Sequence, residues 1–387
     1  MIKILTVIGA RPQIIKAAAI SRAIKNNFSG SIQEVIVHTG QHYDDNMSKV
    51  FFDELGVPKE NYNLKVGSGS HASQTANIMT SVEEVLLKEK PDCLLLYGDT
   101  NSSLAAALAA AKIHVPVVHI EGGVRSFNKK FPEEINRLIC DHLSALIFVP
   151  TIAGVKNLEK EGFNLNNAGP FTFDNPKVYH CGDIMYDNSL YFSEIAEKKS
   201  DIVDRLGLTE KDFILTTIHR PSNVDDINSF NSLFRTFDTL SKEENIYLVI
   251  PLHPRSISAF EKNLDRAIYE SVKKNTFIKI IPAVSFLETI QLEKNSKMII
   301  TDSGGVQKEA YYFKKPCIIL LEETPWVELI ESGSVILAGS DGSKIRSAFN
   351  YFMKNNLSLK YPDIFGDGHA SEFTCKKIIE NFSGTKK

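Results

Sequence analysis

The sequence has few cysteines, a single tryptophan, almost no net charge and no long apolar run, and most of these shortages remove a class of protein. Its 387 residues hold five cysteines, Cys93, Cys140, Cys181, Cys317 and Cys375, an odd number, widely scattered and without a CxxC pair. That argues against a disulfide framework and against a zinc cluster, and leaves inert thiols in a reducing cytoplasm. A formal net charge of -3 gives no basic field for a nucleic-acid backbone. Apolar stretches such as Cys93–Tyr97 and Cys317–Leu321 are strand-sized, and even the longer Leu104–Ala111 is too short to span a membrane. Met1–Ile8 reads as a strand, not as a charged leader followed by a cleavage site. There is no internal repeat, no low-complexity tract, no G-x-x-x-x-G-K-[ST] loop and no G-x-G-x-x-G after the first strand. His38 and His42 have a spacing that binds metal on a helix, but they span the end of a strand, so no metal site is expected.

What the sequence does contain is alternation. Continuous Val/Ile/Leu runs, of the kind found in strands covered on both faces, predict strands at Lys3–Ile8, Glu34–His38, Cys93–Tyr97, Val117–Ile120, Ala145–Val149 and Val178–Cys181. A second series predicts Phe213–Ile218, Tyr247–Leu252, Ile278–Ile281, Met298–Thr301, Pro316–Leu321 and Val335–Leu337. Helix-period segments lie between them, among them Gln13–Lys25, Ser102–Ile113, Glu134–Ser144, Asn228–Leu240 and Val306–Phe313. The helix at Ser102 is expected to take its cap from Ser102 or Ser103. Strands alternating with helices mean parallel sheets with right-handed crossovers. The expected class is α/β: two Rossmann-like, doubly wound domains with an interdomain cleft. The length favours two domains as well. Residues 1–182 are read as the first, 183–370 as the second, and 371–387 as a C-terminal helix packing back on the first.

In such sheets ligands bind beyond the carboxyl ends of the strands, so the residues just after each strand are the informative ones. The first strand runs into Gly9-Ala10-Arg11-Pro12, and Lys16 follows one turn into a helix. Two cations at a helix N-terminus suit a diphosphate. In the second half, Thr301-Asp302-Ser303-Gly304-Gly305 joins a strand to a helix with small residues that let backbone approach an anion, and Glu309 lies where it can accept from ribose hydroxyls. His219-Arg220 and His253-Pro254-Arg255 end two further strands and can neutralise a leaving diphosphate. Three carboxylates, Asp99, Glu121 and Glu133, are expected on one sheet edge. Crowded carboxylates cannot all ionise freely, so one is expected to hold a proton while another releases one.

Taken together, Gly9-Ala10-Arg11-Pro12 with Lys16, Gly98-Asp99-Thr100, Glu121-Gly122-Gly123-Val124-Arg125-Ser126, Pro132-Glu133-Glu134-Ile135-Asn136-Arg137, His219-Arg220, His253-Pro254 and Thr301–Glu309 resemble the non-hydrolysing UDP-N-acetylglucosamine 2-epimerases over almost the whole chain. The resemblance implies a GT-B fold, a UDP-sugar substrate, no metal or nicotinamide cofactor, and a cytoplasmic homodimer. It implies inversion at C2 by loss of UDP, removal of the C2 proton to give a 2-acetamidoglucal, and return of both from the other face. Asp99, Glu121 and Glu133 would then do the acid–base work. His219 would stand by the leaving group, and Arg11, Lys16, Arg137, Arg220, His253, Ser303, Gly304, Gly305 and Glu309 would bind UDP. Two departures, Gly-Ala-Arg-Pro-Gln where many members have Gly-Thr-Arg-Pro-Glu and Trp326 where many have Arg, resemble the subgroup acting on UDP-2,3-diacetamido-2,3-dideoxy-glucuronate. A hydrolysing epimerase, a GT-B glycosyltransferase and a nucleotide-sugar sensor are the rival readings.

Overall fold

Strands that are apolar at every position can be covered on both sides, and here they form two wholly parallel sheets. The computed structural model describes residues 1–41 and 56–383. The first sheet contains β1 (Ile2–Ile8), β2 (Ile32–His38), β3 (Tyr62–Asn63), β4 (Cys93–Tyr97), β5 (Val117–Ile120), β6 (Leu146–Val149) and β7 (Lys177–His180), in the order β3-β2-β1-β4-β5-β6-β7. The second contains β8 (Phe213–Thr217), β9 (Tyr247–Leu252), β10 (Ile278–Pro282), β11 (Met298–Thr301), β12 (Cys317–Ile319) and β13 (Val335–Leu337), in the order β10-β9-β8-β11-β12-β13. In each sheet the chain first winds one way and then returns to the starting strand to wind the other way. The reversals fall between β1 and β4, where Ile4 pairs with Cys93, and between β8 and β11, where Thr217 pairs with Thr301. At such a reversal the crossovers diverge and leave the strand ends open to a ligand.

Two compact units result, Met1–Asn188 with Asp363–Lys387, and Ser189–Pro362. The chain leaves the first unit within the helix Ile184–Lys199 and comes back to it at residue 363. The returning segment ends in the helix Ala370–Phe382, whose first N–H groups are satisfied by Asp187: its carboxylate accepts from Ala370 N at 3.1 Å and from Ser371 N at 2.7 Å. Phe373 on that helix stands edge-on to Phe148 and Tyr179 of the first sheet.

The two cores are made of different materials. In the first unit the helix Asn101–Lys112 lays Ala105, Ala106, Ala107, Ala109 and Ala110 on Leu5, Val7, Leu94 and Leu96. Such small side chains bring the helix close to the strands. A Cβ on Gly9 would stand 2.1 Å from Ser102 Oγ, so only glycine fits at the end of β1. In the second unit Phe230, Phe234, Phe237, Phe349 and Phe352 fill the space instead.

The structure corrects several expectations. The cap of the helix Asn101–Lys112 is Thr100, whose hydroxyl accepts from Ser103 N at 3.2 Å; Ser102 and Ser103 lie inside the helix. The helix expected at Gln13–Lys25 starts at Arg11, where Pro12 suits a first turn, and closes in a π-turn over Ile24–Phe28. Among the elements not foreseen are the short β3 and the nineteen-residue helix His71–Glu89. His42 lies outside the described residues.

Candidate functional site

In the first unit Asp99 follows β4 and Glu121 follows β5, and neither is a bare carboxylate. Asp99 is paired with Arg137 at 2.5 Å, and Glu121 with Lys16 at 2.8 Å. Crowding among the carboxylates, which the sequence implied would be relieved by a held proton, is met here by interleaved cations. Burial works against the charge on Arg137, but Asp99, Glu121 and Glu134 together hold its guanidinium above the ordinary value. The backbone around the pair is unusual. Gly98 has φ 60°, and Glu121, with a full side chain, has φ 71°. Left-handed backbone at a non-glycine residue is uncommon and concentrates at functional sites. A Cβ on Gly98 would lie 3.1 Å from Lys16 Nζ, so the glycine also leaves that amine its place.

Glu133 does not join the paired groups; it is exposed on the first turn of the helix Pro132–His142. Its neighbour Glu134, which sequence reasoning passed over, is buried. Its carboxylate accepts from Ser126 N at 2.9 Å, Ser126 Oγ at 3.0 Å, Phe127 N at 2.9 Å and Arg137 Nη1 at 3.0 Å. Burial alone would raise the Glu134 carboxyl, but these bonds hold it below the usual range. Glu134 thus anchors the loop after Glu121 and orients the arginine that holds Asp99. Asn136 completes the arrangement by donating to Asp99 O at 2.8 Å.

Two further groups under this edge escaped the sequence reading. Gln13 is buried: its Oε1 accepts from Gly9 N at 2.9 Å and Ala10 N at 3.2 Å, while its Nε2 donates to Tyr97 O at 2.9 Å and to Ser103 Oγ at 2.9 Å. An amide both donates and accepts, and an ionised carboxylate could not hold Tyr97 O. The glutamine that departs from the common family motif therefore knits the end of β1 to the end of β4. His119 and Asp141, both fully buried, lie beneath the same turns, with Nδ1 and Oδ1 2.7 Å apart. Burial would raise Asp141, but His119, Arg125 and the Gly123 N–H hold it below the ordinary range.

In the second unit the ends of β8 and β11 meet at Asp302. This fully buried carboxylate accepts from His219 N at 3.0 Å, Arg220 N at 2.9 Å and Asn223 Nδ2 at 3.0 Å, and lies 2.7 Å from His219 Nδ1. Burial pushes Asp302 upward, and the bonds to His219 and its neighbours outweigh it. The imidazole of His219, held on one side, stays substantially exposed on the other. Ser303 caps the helix Gly304–Tyr312 by accepting from Val306 N at 3.4 Å. Apart from its chain neighbours and its own helix backbone, no atom of the described residues lies within 4 Å of where a Cβ on Gly304 would stand. Internal packing therefore does not demand glycine there, which leaves the helix N-terminus clear for an approaching anion. Arg220 and His253 are exposed at their strand ends, His253 at the cap position of the helix Pro254–Lys262. Arg11 is exposed at the opening of its helix in the first unit.

Glu309 is buried in the helix Gly304–Tyr312, and the helix Phe286–Asn295 carries a second acid, Glu293, with no exposed surface. Burial and then the charge and hydrogen bond of Glu309 push the Glu293 carboxyl well above the usual range. Beside them Lys308 lies over the Trp326 ring, 4.2 Å from its centroid. Among the described residues no group of three or more His, Cys, Asp or Glu is placed to hold a metal ion, and no helix is long and apolar enough to cross a membrane.

Comparison with known proteins converges on one family. Residues 23–380 match the UDP-N-acetylglucosamine 2-epimerase family. A UDP-2,3-diacetamido-2,3-dideoxy-D-glucuronate 2-epimerase of Pseudomonas aeruginosa is 43% identical, over 95% of this chain and 97% of its own. A UDP-N-acetylglucosamine 2-epimerase of Methanococcus maripaludis is 38% identical over the full length of both. Among solved structures, the UDP-GlcNAc 2-epimerase of Methanocaldococcus jannaschii, in complex with UDP-GlcNAc and UDP, matches with a TM-score of 0.83 and 36% identity over 98% of this chain and 99% of that one. The two Rossmann-like units are those of the GT-B class. With its paired carboxylates, its His–Asp pair and its full-length likeness to these epimerases, the chain belongs to the UDP-N-acetylglucosamine 2-epimerase family.

Proposed function

We propose that the protein interconverts UDP-N-acetylglucosamine and UDP-N-acetylmannosamine by eliminating and re-adding UDP. C2 of the sugar adjoins no carbonyl, so its proton is not acidic in the ground state. Breaking the anomeric C–O bond first makes a cationic centre at C1, and that centre acidifies the proton on C2. One carboxylate takes this proton to give the 2-acetamidoglucal; protonation at C2 from the opposite face and return of UDP to C1 complete the inversion. The observation that carries the reading is the pair of ion pairs, Asp99 with Arg137 and Glu121 with Lys16, on adjoining strand ends. Each couples a group able to hold a proton to a cation able to answer the charge it gains or loses. Glu133, exposed one turn away, is the third candidate, and its exposure leaves it free to reach a bound sugar.

In this reading His219, Arg220, His253 and the helix N-terminus at Ser303, Gly304 and Gly305 are the second unit's groups for UDP, with Glu309 taking the ribose, and Arg11, Lys16 and Arg137 are the first unit's cations for it. Asp302 keeps His219 turned so that its other ring nitrogen is available to a phosphate oxygen. The setting that goes with it is a homodimer in the cytoplasm, and light scattering from the purified protein tests the dimer.

The test is proton NMR of UDP-N-acetylglucosamine incubated with the protein in deuterated water. UDP-N-acetylmannosamine should appear, with deuterium at C2 of both epimers. Free N-acetylmannosamine would assign a hydrolysing enzyme instead, and UDP binding without C2 exchange would assign a transferase or a sensor. A second substrate is favoured by Gln13 and by the sheltered Lys308–Trp326 pair, where the chain departs from the common motifs, and by the relative 43% identical. UDP-2,3-diacetamido-2,3-dideoxy-glucuronate is therefore to be run alongside, and the larger kcat/KM names the substrate.

A further inference from the structure

Asp99 and Glu121 stand on different turns, and one buried side chain joins those turns. His119 lies on β5 two residues before Glu121, and its Nε2 reaches Gly98 O at 2.9 Å, directly before Asp99. Its Nδ1 reaches Asp141 Oδ1 at 2.7 Å, and Asp141 Oδ2 accepts from Gly123 N at 3.0 Å, two residues beyond Glu121. A continuous path therefore runs from the backbone next to Asp99, through an imidazole and a carboxylate, to the backbone next to Glu121. Three residues along these turns have left-handed backbone, Gly98 at φ 60°, Glu121 at 71° and Gly123 at 73°. For Glu121, unlike the two glycines, that conformation is strained, and such strain persists only where the surroundings over-determine it.

The hydrogen-bond inventory fixes the state of the ring. A backbone carbonyl only accepts, so Nε2 must carry a hydrogen to hold Gly98 O; an ionised carboxylate only accepts, so Nδ1 must carry one as well. Charge balance agrees. Arg125 lies 2.7 Å from Asp141 and 2.8 Å from Glu161, so with a neutral ring one arginine would face two carboxylates, the buried Asp141 and the half-buried Glu161. A cationic ring makes the cluster neutral, which burial of charge favours.

We propose that His119 is a doubly protonated imidazolium that, with Asp141, acts as a positioning residue, fixing the turn of Asp99 against the turn of Glu121 at the spacing the two C2 proton transfers need. The positioning half of this rests on the epimerase reading; the protonation half does not.

Two isosteric replacements separate its two ends. His119→Gln reaches as far as Nε2 and keeps a donor for Gly98 O; His119→Asn stops at Nδ1, keeps a donor for Asp141 and leaves Gly98 O unmet. Turnover, KM, UDP affinity by calorimetry and thermal unfolding are measured on both, with histidine-selective 15N NMR on the wild type at pH 7.5. The asparagine variant should lose about 100-fold in kcat, the order that a misplacement of about 1 Å costs, with KM and UDP affinity unchanged. The glutamine variant should stay within about tenfold of wild type, and the ring nitrogens missing from both variants should have imidazolium shifts. Equal loss in both variants, in step with lowered thermal stability, would reduce His119 to a packing residue, and near-wild-type turnover in both would dismiss it altogether. Shifts of a neutral tautomer would overturn the protonation state, whether or not the variants fold. If the wild type itself exchanges no C2 proton with either sugar, the epimerase reading fails along with the positioning role, and the NMR result still decides the ring.

Discussion

The carboxyl edges of the two sheets are the same architectural place, filled in opposite ways. At the first, anions and cations come already matched: Asp99 with Arg137, Glu121 with Lys16, Glu134 with the loop after Glu121. At the second, the one carboxylate at the centre, Asp302, is fully buried, and it spends its acceptors on the N–H groups of His219 and Arg220 and on the His219 ring. What remains in the open there is donors and positive charge. An edge that moves protons needs acceptors whose charge is defined before substrate arrives. An edge proposed to hold a diphosphate needs donors and positive charge that face outward.

The contrast can be broken most sharply at the first edge. Asp99→Asn, Glu121→Gln and Glu133→Gln should each lower kcat by about 10²–10⁴-fold, with UDP affinity by calorimetry unchanged. A variant that instead keeps its turnover and loses UDP would move that residue to the binding side of the comparison. Next comes Asp302→Asn, which should invert the pattern: UDP affinity falls about tenfold while the protein loses ~1–3 kcal/mol, because an amide cannot accept from all of those donors. Thermal unfolding and calorimetry together read both effects. A smaller effect is expected from Ser303→Ala, about 1 kcal/mol for the lost cap, with UDP weakened and the C2 exchange rate at saturation kept.

The smallest effect is one of pH, and the second unit supplies both signs. Asp302 is held below the ordinary range, so its contribution to stability is complete above about pH 4 and is lost as acid protonates it in the folded state. Glu293 is raised, so the folded protein binds its proton more tightly than the unfolded chain does, and stability falls as pH climbs above about 4 toward that raised value. Glu293→Gln should therefore flatten the decline of the melting temperature between pH 5 and 9 and leave the acid limb unchanged. A steeper decline in that variant would show that Glu293 is ionised in the native protein.

How much of this was legible in the sequence depended on whether a residue's signal was local. Strands read as unbroken apolar runs were found to within a residue or two, and Cys93–Tyr97, Val117–Ile120, Tyr247–Leu252, Met298–Thr301 and Val335–Leu337 have the expected ends. The two-residue β3 has no run to read. Thr100 was missed as a cap because the serines after it are equally good cap residues by type, and only the backbone turn at Thr100 decides. Asp99 and Glu121 were found because they lie within two residues of a strand end. Glu134 and Asp141 were not, and Gln13 was noted only as a departure from the common motif, since much of what they do lies with partners 7 to 90 residues away. Asp302 had a local signal that went unused: an acid directly after a strand, before a serine and two glycines, is placed as Glu121 is.

The brief return of the chain to its first unit sets an order of assembly. Residues 189–362 leave a ribosome as one uninterrupted stretch holding a whole sheet, whereas the unit with the acid–base groups waits for the helix Ala370–Phe382 that Asp187 caps. The unit proposed to do the chemistry is thus finished last. The two crossings also run side by side, with Asp183 N donating to Phe365 O at 2.9 Å. A short linker from residue 188 to residue 363 would therefore excise the intervening unit and leave the first as a single chain, its thirteenth-hour helix now encoded early.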